Sequence, residues 1–343
     1  MRLLIGVVVV MSMGLALAFA QTPLSGVSVA KVTTLDPALD AIVPANAKFE
    51  ILVEEYFGGS EGPVWMSEGP SGYGYLLFSD QPGNRIYKWD GKLSVFLEPA
   101  GYTGPPDKAW EVALLNMSPG VRNLMVGNIG SNGLTVDREG RLVICARGDR
   151  ALHRIEKDGK RTVLADRYQG KGLDAPNDVV VKSDGAVYFS TTAGIRTRAG
   201  TPPPDVAPDG LYRWKEGSPL QLLITQIQGA RPNGLAFSPD EKVLYVVMGG
   251  KIWRFDVQPD GTIANGRFFS GESEADGMKV DRNGNLYFPG PDGLWIVGPD
   301  GKHLGTIATG LFRNLAFGDA DRKTLYMTII RGLARIRLNI PGL

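Results

Sequence analysis

Oxygen-bearing side chains recur along this chain at the head of a short β-prone run, and their types suit a hard metal ion. The stretches are Glu61-Gly62-Pro63-Val64-Trp65, Asn132-Gly133-Leu134-Thr135-Val136, Asn177-Asp178-Val179-Val180-Val181, Asn233-Gly234-Leu235-Ala236-Phe237, Asp276-Gly277-Met278-Lys279-Val280 and Asn314-Leu315-Ala316-Phe317. Taken singly, Asn or Asp before Gly is an ordinary turn signal. The shared register is what points further. Radial repetition would gather one oxygen per unit at one end of a common axis. There Glu61 and Asp276 would repel each other when ionised unless a cation lay between them. Asn177 and Asn233 would add neutral carbonyl oxygens. An all-oxygen set favours Ca²⁺, Mg²⁺ or Mn²⁺ over metals selected by thiolate or imidazole. Four protein ligands also leave coordination positions for water and a substrate.

Other chemistries find less support. G-x-S-x-G occurs as Gly58-Gly59-Ser60-Glu61-Gly62, but a nucleophile elbow needs a helix after the serine, and Pro63-Val64-Trp65 reads as strand. The two histidines, His153 and His303, head no unit. They are expected to be structural, and their scarcity argues against a His-rich zinc site. No dinucleotide or phosphate loop fits. Lys plus Arg (37) and Asp plus Glu (36) nearly cancel, so no general attraction to nucleic acid is expected.

The elements that must position the heads are legible in the same stretches. Most units continue through a polar turn into a second β-rich run, as Asn177 does through Ser183-Asp184-Gly185 to Ala186-Val187-Tyr188-Phe189. Glycine is 45 of 343 residues, about 13% against a usual ~7%, mostly in the Asp-Gly and Asn-Gly pairs of hairpins. A strand–turn–strand unit repeated six times predicts an all-β, six-bladed β-propeller over residues 49–343. The strand at Phe49–Glu55 and the one at Gly332–Leu338 are placed to close the ring in one blade. Successive heads lie 71, 45, 56, 43 and 38 residues apart, whereas a four-stranded blade takes ~40–45. The long gaps therefore carry insertions, Gly101–Gly130 and Arg196–Asp209. Strand parity puts both at the head end of the channel, where long loops form lids or walls. Within the first, residues 109–115 read as a short helix.

Residues 1–20 have Arg2, an apolar run and Ala18-Phe19-Ala20, the pattern of a secretory signal peptide. Export across the inner membrane to a periplasm is the expectation, with no stable membrane anchor after cleavage. Residues 21–48 read as a surface lead-in. One cysteine, Cys145, excludes an intrachain disulfide and reads as a packed thiol.

The chain resembles the SMP-30/gluconolactonase/luciferin-regenerating-enzyme family of six-bladed propellers. The matching stretches are the heads at Glu61, Asn132, Asn177, Asn233 and Asp276 with their followers, together with Phe78-Ser79-Asp80 and Asn84-Arg85-Ile86-Tyr87-Lys88-Trp89. They run in the family's order over about residues 50–338. The resemblance implies one divalent ion held by Glu61, Asn177, Asn233 and Asp276, Ca²⁺ first, with Mg²⁺, Mn²⁺ or Zn²⁺ as alternatives. It also implies hydrolysis of sugar lactones or other cyclic esters, Asp276 as both ligand and general base, and Asn132 lining the pocket. Bacterial relatives often carry polar or acidic residues where the second strands end. The corresponding positions here are Ala146, Arg147, Thr191 and Met248. If these form the substrate wall, the pocket suits a less hydroxylated or acid-bearing lactone, with Arg147 facing the acid. The alternative is that these side chains turn into the blades. The expected activity is thus an exported, metal-dependent lactone hydrolase acting on a small molecule, against a non-catalytic binding propeller with a structural ion or a related aryl-ester hydrolase.

Overall fold

The computed structural model describes residues 26–54, 56–67, 73–105, 128–192 and 205–343. The expected signal peptide (1–20), the helix expected over 109–115 and most of the Arg196–Asp209 insertion lie outside them. The chain folds as a six-bladed β-propeller. The inner strands of blades one to six are Ser60–Met66, Ser131–Val136, Ala175–Val181, Pro232–Phe237, Lys279–Val280 and Phe312–Gly318. Each touches the next around the ring, and the sixth touches the first. Within each blade, strands follow in chain order and pair antiparallel.

Ring closure uses both ends of the chain. In blade six, Phe312–Gly318, Thr324–Ile329 and Leu333–Arg337 are followed outward by Lys48–Val53, as the sequence anticipates. The lead-in does more than the sequence suggests. Gly26–Val29 pairs with Lys48–Val53 on the outside of blade six, and Lys31–Thr34 pairs with His303–Ala308 on the outside of blade five. Two exposed four-residue strands straddling adjacent blades are too short for a period to emerge from the sequence. Behind them, a 3-10 turn at Pro37–Ala41, capped by the Asp36 carboxylate on Ala38 N–H, drives Leu39, Ile42 and Val43 into the core of blades five and six.

Second strands such as Tyr75–Asp80, Leu142–Ala146 and Val243–Met248 are buried almost throughout and mostly apolar because they are covered on both faces by neighbouring blades. The core is accordingly a set of wedges between blades. One joins Tyr188 and Leu211 of blade three to Leu235, Val246 and Phe255 of blade four. Each fully buried large side chain there contributes about 1.5–3 kcal/mol, so the ring is held by burial rather than by ladder bonds between blades. The pairs Glu61–Ser79, Ser131–Ala146 and Pro232–Met248 put the second strand's end beside the head of the first. The flanks of the first insertion sit at this end too, with Gly101 N–H on Asn84 Oδ1 and Gly130 N–H on Gln81 O.

Candidate active site

Four of the heads occupy bulges, not turns. Strand register slips between Glu61 and Val64, Ser131 and Leu134, Pro176 and Val179, and Pro232 and Leu235. A bulge at the same place in these four blades re-aims one side chain toward the axis, whereas Asp276 lies just ahead of its strand, Lys279–Val280. The following glycine answers to the crowding this produces. A Cβ on Gly62 would lie 2.0 Å from Asn132 O, and one on Gly234 would lie 2.1 Å from Asp276 O. Each inner strand thus passes against the backbone of the next blade's head.

The heads are joined by hydrogen bonds around the channel. Asn132 Nδ2 donates to Asn177 Oδ1 (2.5 Å), Asn177 Nδ2 to Asn233 Oδ1 (2.7 Å), and Asn233 Nδ2 to Asp276 Oδ1 (2.7 Å). Glu61 Oε2 accepts the Gly62 N–H at 2.9 Å. Glu61, Asn132 and Asn177 are buried, whereas Asn233 and Asp276 are half-buried. Burial raises the pKa of Glu61 most, and the nearby Asp276 charge raises it further, to about 8. Burial lifts Asp276 to about 6 against the opposing effects of Arg313 and the Asn233 amide. Both shifts share burial as their main cause, with the Asp276 charge adding to it at Glu61 and the Asp178 charge at Asp276. Asn314, the sixth head, is buried, its Oδ1 accepting the Leu315 N–H.

Around the ring, hydroxyls pin one blade to the next. Ser79 Oγ donates to Asn132 O and Ser190 Oγ to Asn233 O, each at 2.7 Å. Asp178 reaches across to Leu235 N–H at 3.1 Å. Lys279 lies close enough to Asp178 and Glu61 to feel their charges, with its Nζ on Met278 O at 3.0 Å. Below this level the channel has a mixed lining, mainly apolar but with Thr135, Ser238, Glu241 and Arg322. A cavity of about 440 Å³ is lined by Leu134, Val180, Leu235, Ala236 and Ala316, with Lys279 also at its wall.

The wall residues expected from sequence divide. Arg147 is buried at the site, its Nη1 3.4 Å from Thr192 Oγ1, and its charge is felt at both Glu61 and Asp276. Ala146 and Met248 lie in blade cores. Thr191 is fully buried, its hydroxyl accepting the Gly210 N–H at 3.0 Å. These three turn into the blades because successive side chains on a strand face opposite sides. The neighbour Thr192 is the residue at the site, accepting from Asn177 Nδ2 at 3.4 Å. Asp80 is occupied too, its Oδ1 taking the Gly58 and Gly59 N–H groups. The histidines are structural. His153 is buried beside Arg161, and His303 stacks on Trp295 with ring centroids 3.9 Å apart. Sequence reasoning missed Thr192, Arg313, Asp178, Lys279 and the serine pins. Three of these leave a signal. Asp178 stands where four other units have glycine, and Lys279 where others have Val64, Thr135, Val180 or Ala236. The recurring Phe78-Ser79 and Phe189-Ser190 pairs mark the pins. Arg313 and Thr192 leave none.

No group of three or more His, Cys, Asp and Glu side chains suited to a metal occurs among the described residues. The donor set at the heads is instead two carboxylates and two amides. Its chemistry fits a hard divalent ion, since a cation there would offset both the desolvation of the two carboxylates and the Asp276 charge that raises Glu61.

Comparison with known proteins agrees with the geometry. Residues 59–331 match the family model described as the SMP-30/Gluconolactonase/LRE-like region. A gluconolactonase of Zymomonas mobilis subsp. mobilis is 31% identical over 347 residues, covering 94% of this chain and 90% of that protein. A gluconolactonase structure from Xanthomonas campestris is 31% identical with a TM-score of 0.71, covering 91% of this chain and 95% of that one. A lactonohydrolase of Aspergillus oryzae is 27% identical over 216 residues, covering 54% of this chain and 49% of its own.

Proposed function

Because this chain belongs to the SMP-30/gluconolactonase/LRE-like family, we propose that it hydrolyses a small-molecule lactone with one divalent ion held by Glu61, Asn177, Asn233 and Asp276. The observation that carries this reading is the buried Glu61 and half-buried Asp276 carboxylates, electrostatically coupled at one end of the channel, together with the Asn177 and Asn233 amides. Lewis acidity toward the ester carbonyl and the attacking water is what a bound ion supplies there. Ca²⁺ is the first choice, because an oxygen-only set of carboxylates and amides, completed by water and substrate, suits its coordination.

The protein groups have separable tasks. Asp276 is half-buried, its Oδ1 held by Asn233. Its carboxylate accepts a proton from the water that adds to the ester carbonyl and returns it to the alkoxide released as the ring C–O bond breaks. Asn132 fixes the orientation of the Asn177 amide, and through it the whole hydrogen-bonded row. Arg313 lies within electrostatic reach of both carboxylates and limits the cost of holding them ionised together.

The apolar run and Ala18-Phe19-Ala20 pattern of residues 1–20 support export to a periplasm. N-terminal sequencing of the mature protein should begin at Gln21, and a mature chain retaining Arg2 would overturn that. The activity is tested with a lactone panel, using chelator-stripped protein restored by Ca²⁺, Mg²⁺, Mn²⁺ or Zn²⁺. Loss on stripping and recovery with one ion is expected. Full turnover after exhaustive chelation would remove the ion from the reaction.

A further inference from the structure

Arg147 is only 7% exposed, yet its guanidinium is almost unsatisfied. Its Nη1 makes one long contact, 3.4 Å to Thr192 Oγ1, and its Nε has no hydrogen-bond partner. A guanidinium carries five N–H donors in a planar fork, and a buried charge left unpaired is costly. The acids whose charges reach it are held by other groups. Asp174 Oδ1 takes the Ala175 N–H at 2.9 Å, Asp209 Oδ2 pairs with Arg231 at 2.9 Å, and Glu61 Oε2 takes the Gly62 N–H. Arg147 makes no ion pair with a described carboxylate. Its position is not remote either. Thr192 Oγ1, which it contacts, also accepts from Asn177 Nδ2, so the fork stands one hydroxyl away from the row of heads.

We propose that Arg147 receives a carboxylate carried by the substrate, so that the lactone this site prefers bears an acid group. The inference rests on the lactonase reading above and names its substrate class. Asp174 and Asp209 act on Arg147 through charge, yet no described acid accepts a hydrogen bond from its fork, and its Nε has no partner. A hydroxyl would satisfy part of the fork's donors but none of its charge. A carboxylate satisfies both through two parallel N–H···O bonds.

The test uses two sugar lactones that differ only in carrying a carboxylate or a hydroxymethyl group, glucarolactone and gluconolactone, together with the uncharged methyl ester of glucarolactone. The ion-loaded parent should favour glucarolactone over both by roughly 10-fold or more in kcat/KM, the scale of a charge-assisted hydrogen bond. Arg147→Met should collapse that ratio through KM, and Arg147→Lys should keep part of it. A folded Arg147→Met with the parent's ratio would overturn the assignment, as would a parent that favours gluconolactone or treats acid and methyl ester alike. Where Arg147→Met fails to fold, the parent's acid-to-ester ratio decides alone. A parent that hydrolyses gluconolactone without this preference refutes only the role of Arg147. One that hydrolyses none of the three refutes the lactonase reading and this inference with it.

Discussion

Replacing Glu61 by Gln should stabilise the ion-free protein at alkaline pH while abolishing its activity. Glu61 has its pKa raised from 4.5 to about 8 by burial and by Asp276. For an acid raised in the folded state, the sign is fixed. Below pH 4.5 the group is protonated, folded or unfolded, and costs nothing. Between 4.5 and about 8 the folded state binds more protons than the unfolded one, so stability falls as pH rises. Above about 8 the full penalty is present. At about 1.4 kcal/mol per pKa unit, this sets a ceiling near 5 kcal/mol. Sharing with Asp276 and local relaxation reduce it, leaving about 2–4 kcal/mol. Glutamine keeps an oxygen for the Gly62 N–H, so the substitution removes the charge and little else. Urea midpoints in the presence of chelator should therefore match between parent and Glu61→Gln near pH 4.5, then separate in favour of the variant by pH 8.5. Saturating Ca²⁺ should reverse the order at pH 8.5, because the ion stabilises only the parent by mass action. A variant equally destabilised at both pH values would refute the reasoning, since Glu61 would then be a satisfied structural acid.

Other expectations are more direct. Asp276→Asn retains an oxygen but cannot take a proton, so turnover should fall ~10²-fold or more at saturating ion; near-parental turnover would leave Asp276 as a ligand alone. Met248→Asp should cost about 3 kcal/mol or more in a urea melt, because the side chain is 1% exposed among Leu235, Val246 and Phe255 and a buried unpaired carboxylate is costly. A stable Met248→Asp with altered lactone preference would instead return this residue to the pocket wall. Gly234→Ala would place a methyl 2.1 Å from Asp276 O, so it should lower soluble yield or, where folded, displace Asp276 and reduce activity at least tenfold. Parental kinetics in that variant would show that the head tolerates movement of its backbone.

Repetition made most of the architecture legible. The six heads, the hairpin turns after them and the paired terminal strands sufficed for six blades and for the closure through Lys48–Val53, because local periodicity and turn chemistry are written in contiguous residues. The site heads were legible for the same reason. Glu61, Asn132, Asn177, Asn233 and Asp276 share one register, and the structure brings them to one end of the channel, four of them joined by the row of hydrogen bonds from Asn132 to Asp276. Tertiary structure decided what depends on one residue of register or on contact between blades. Thr192 rather than Thr191 meets Asn177, because adjacent strand residues face opposite sides and a bulge shifts which one points inward. Met248 fills a wedge between blades, a fate no local pattern distinguishes from a pocket wall. Arg313, outside every motif, sets the charge at both carboxylates only because blade six closes against blades one and five. The sequence alone specifies which side chains repeat; the curvature of the ring determines which of them meet, since those contacts join residues far apart in the chain.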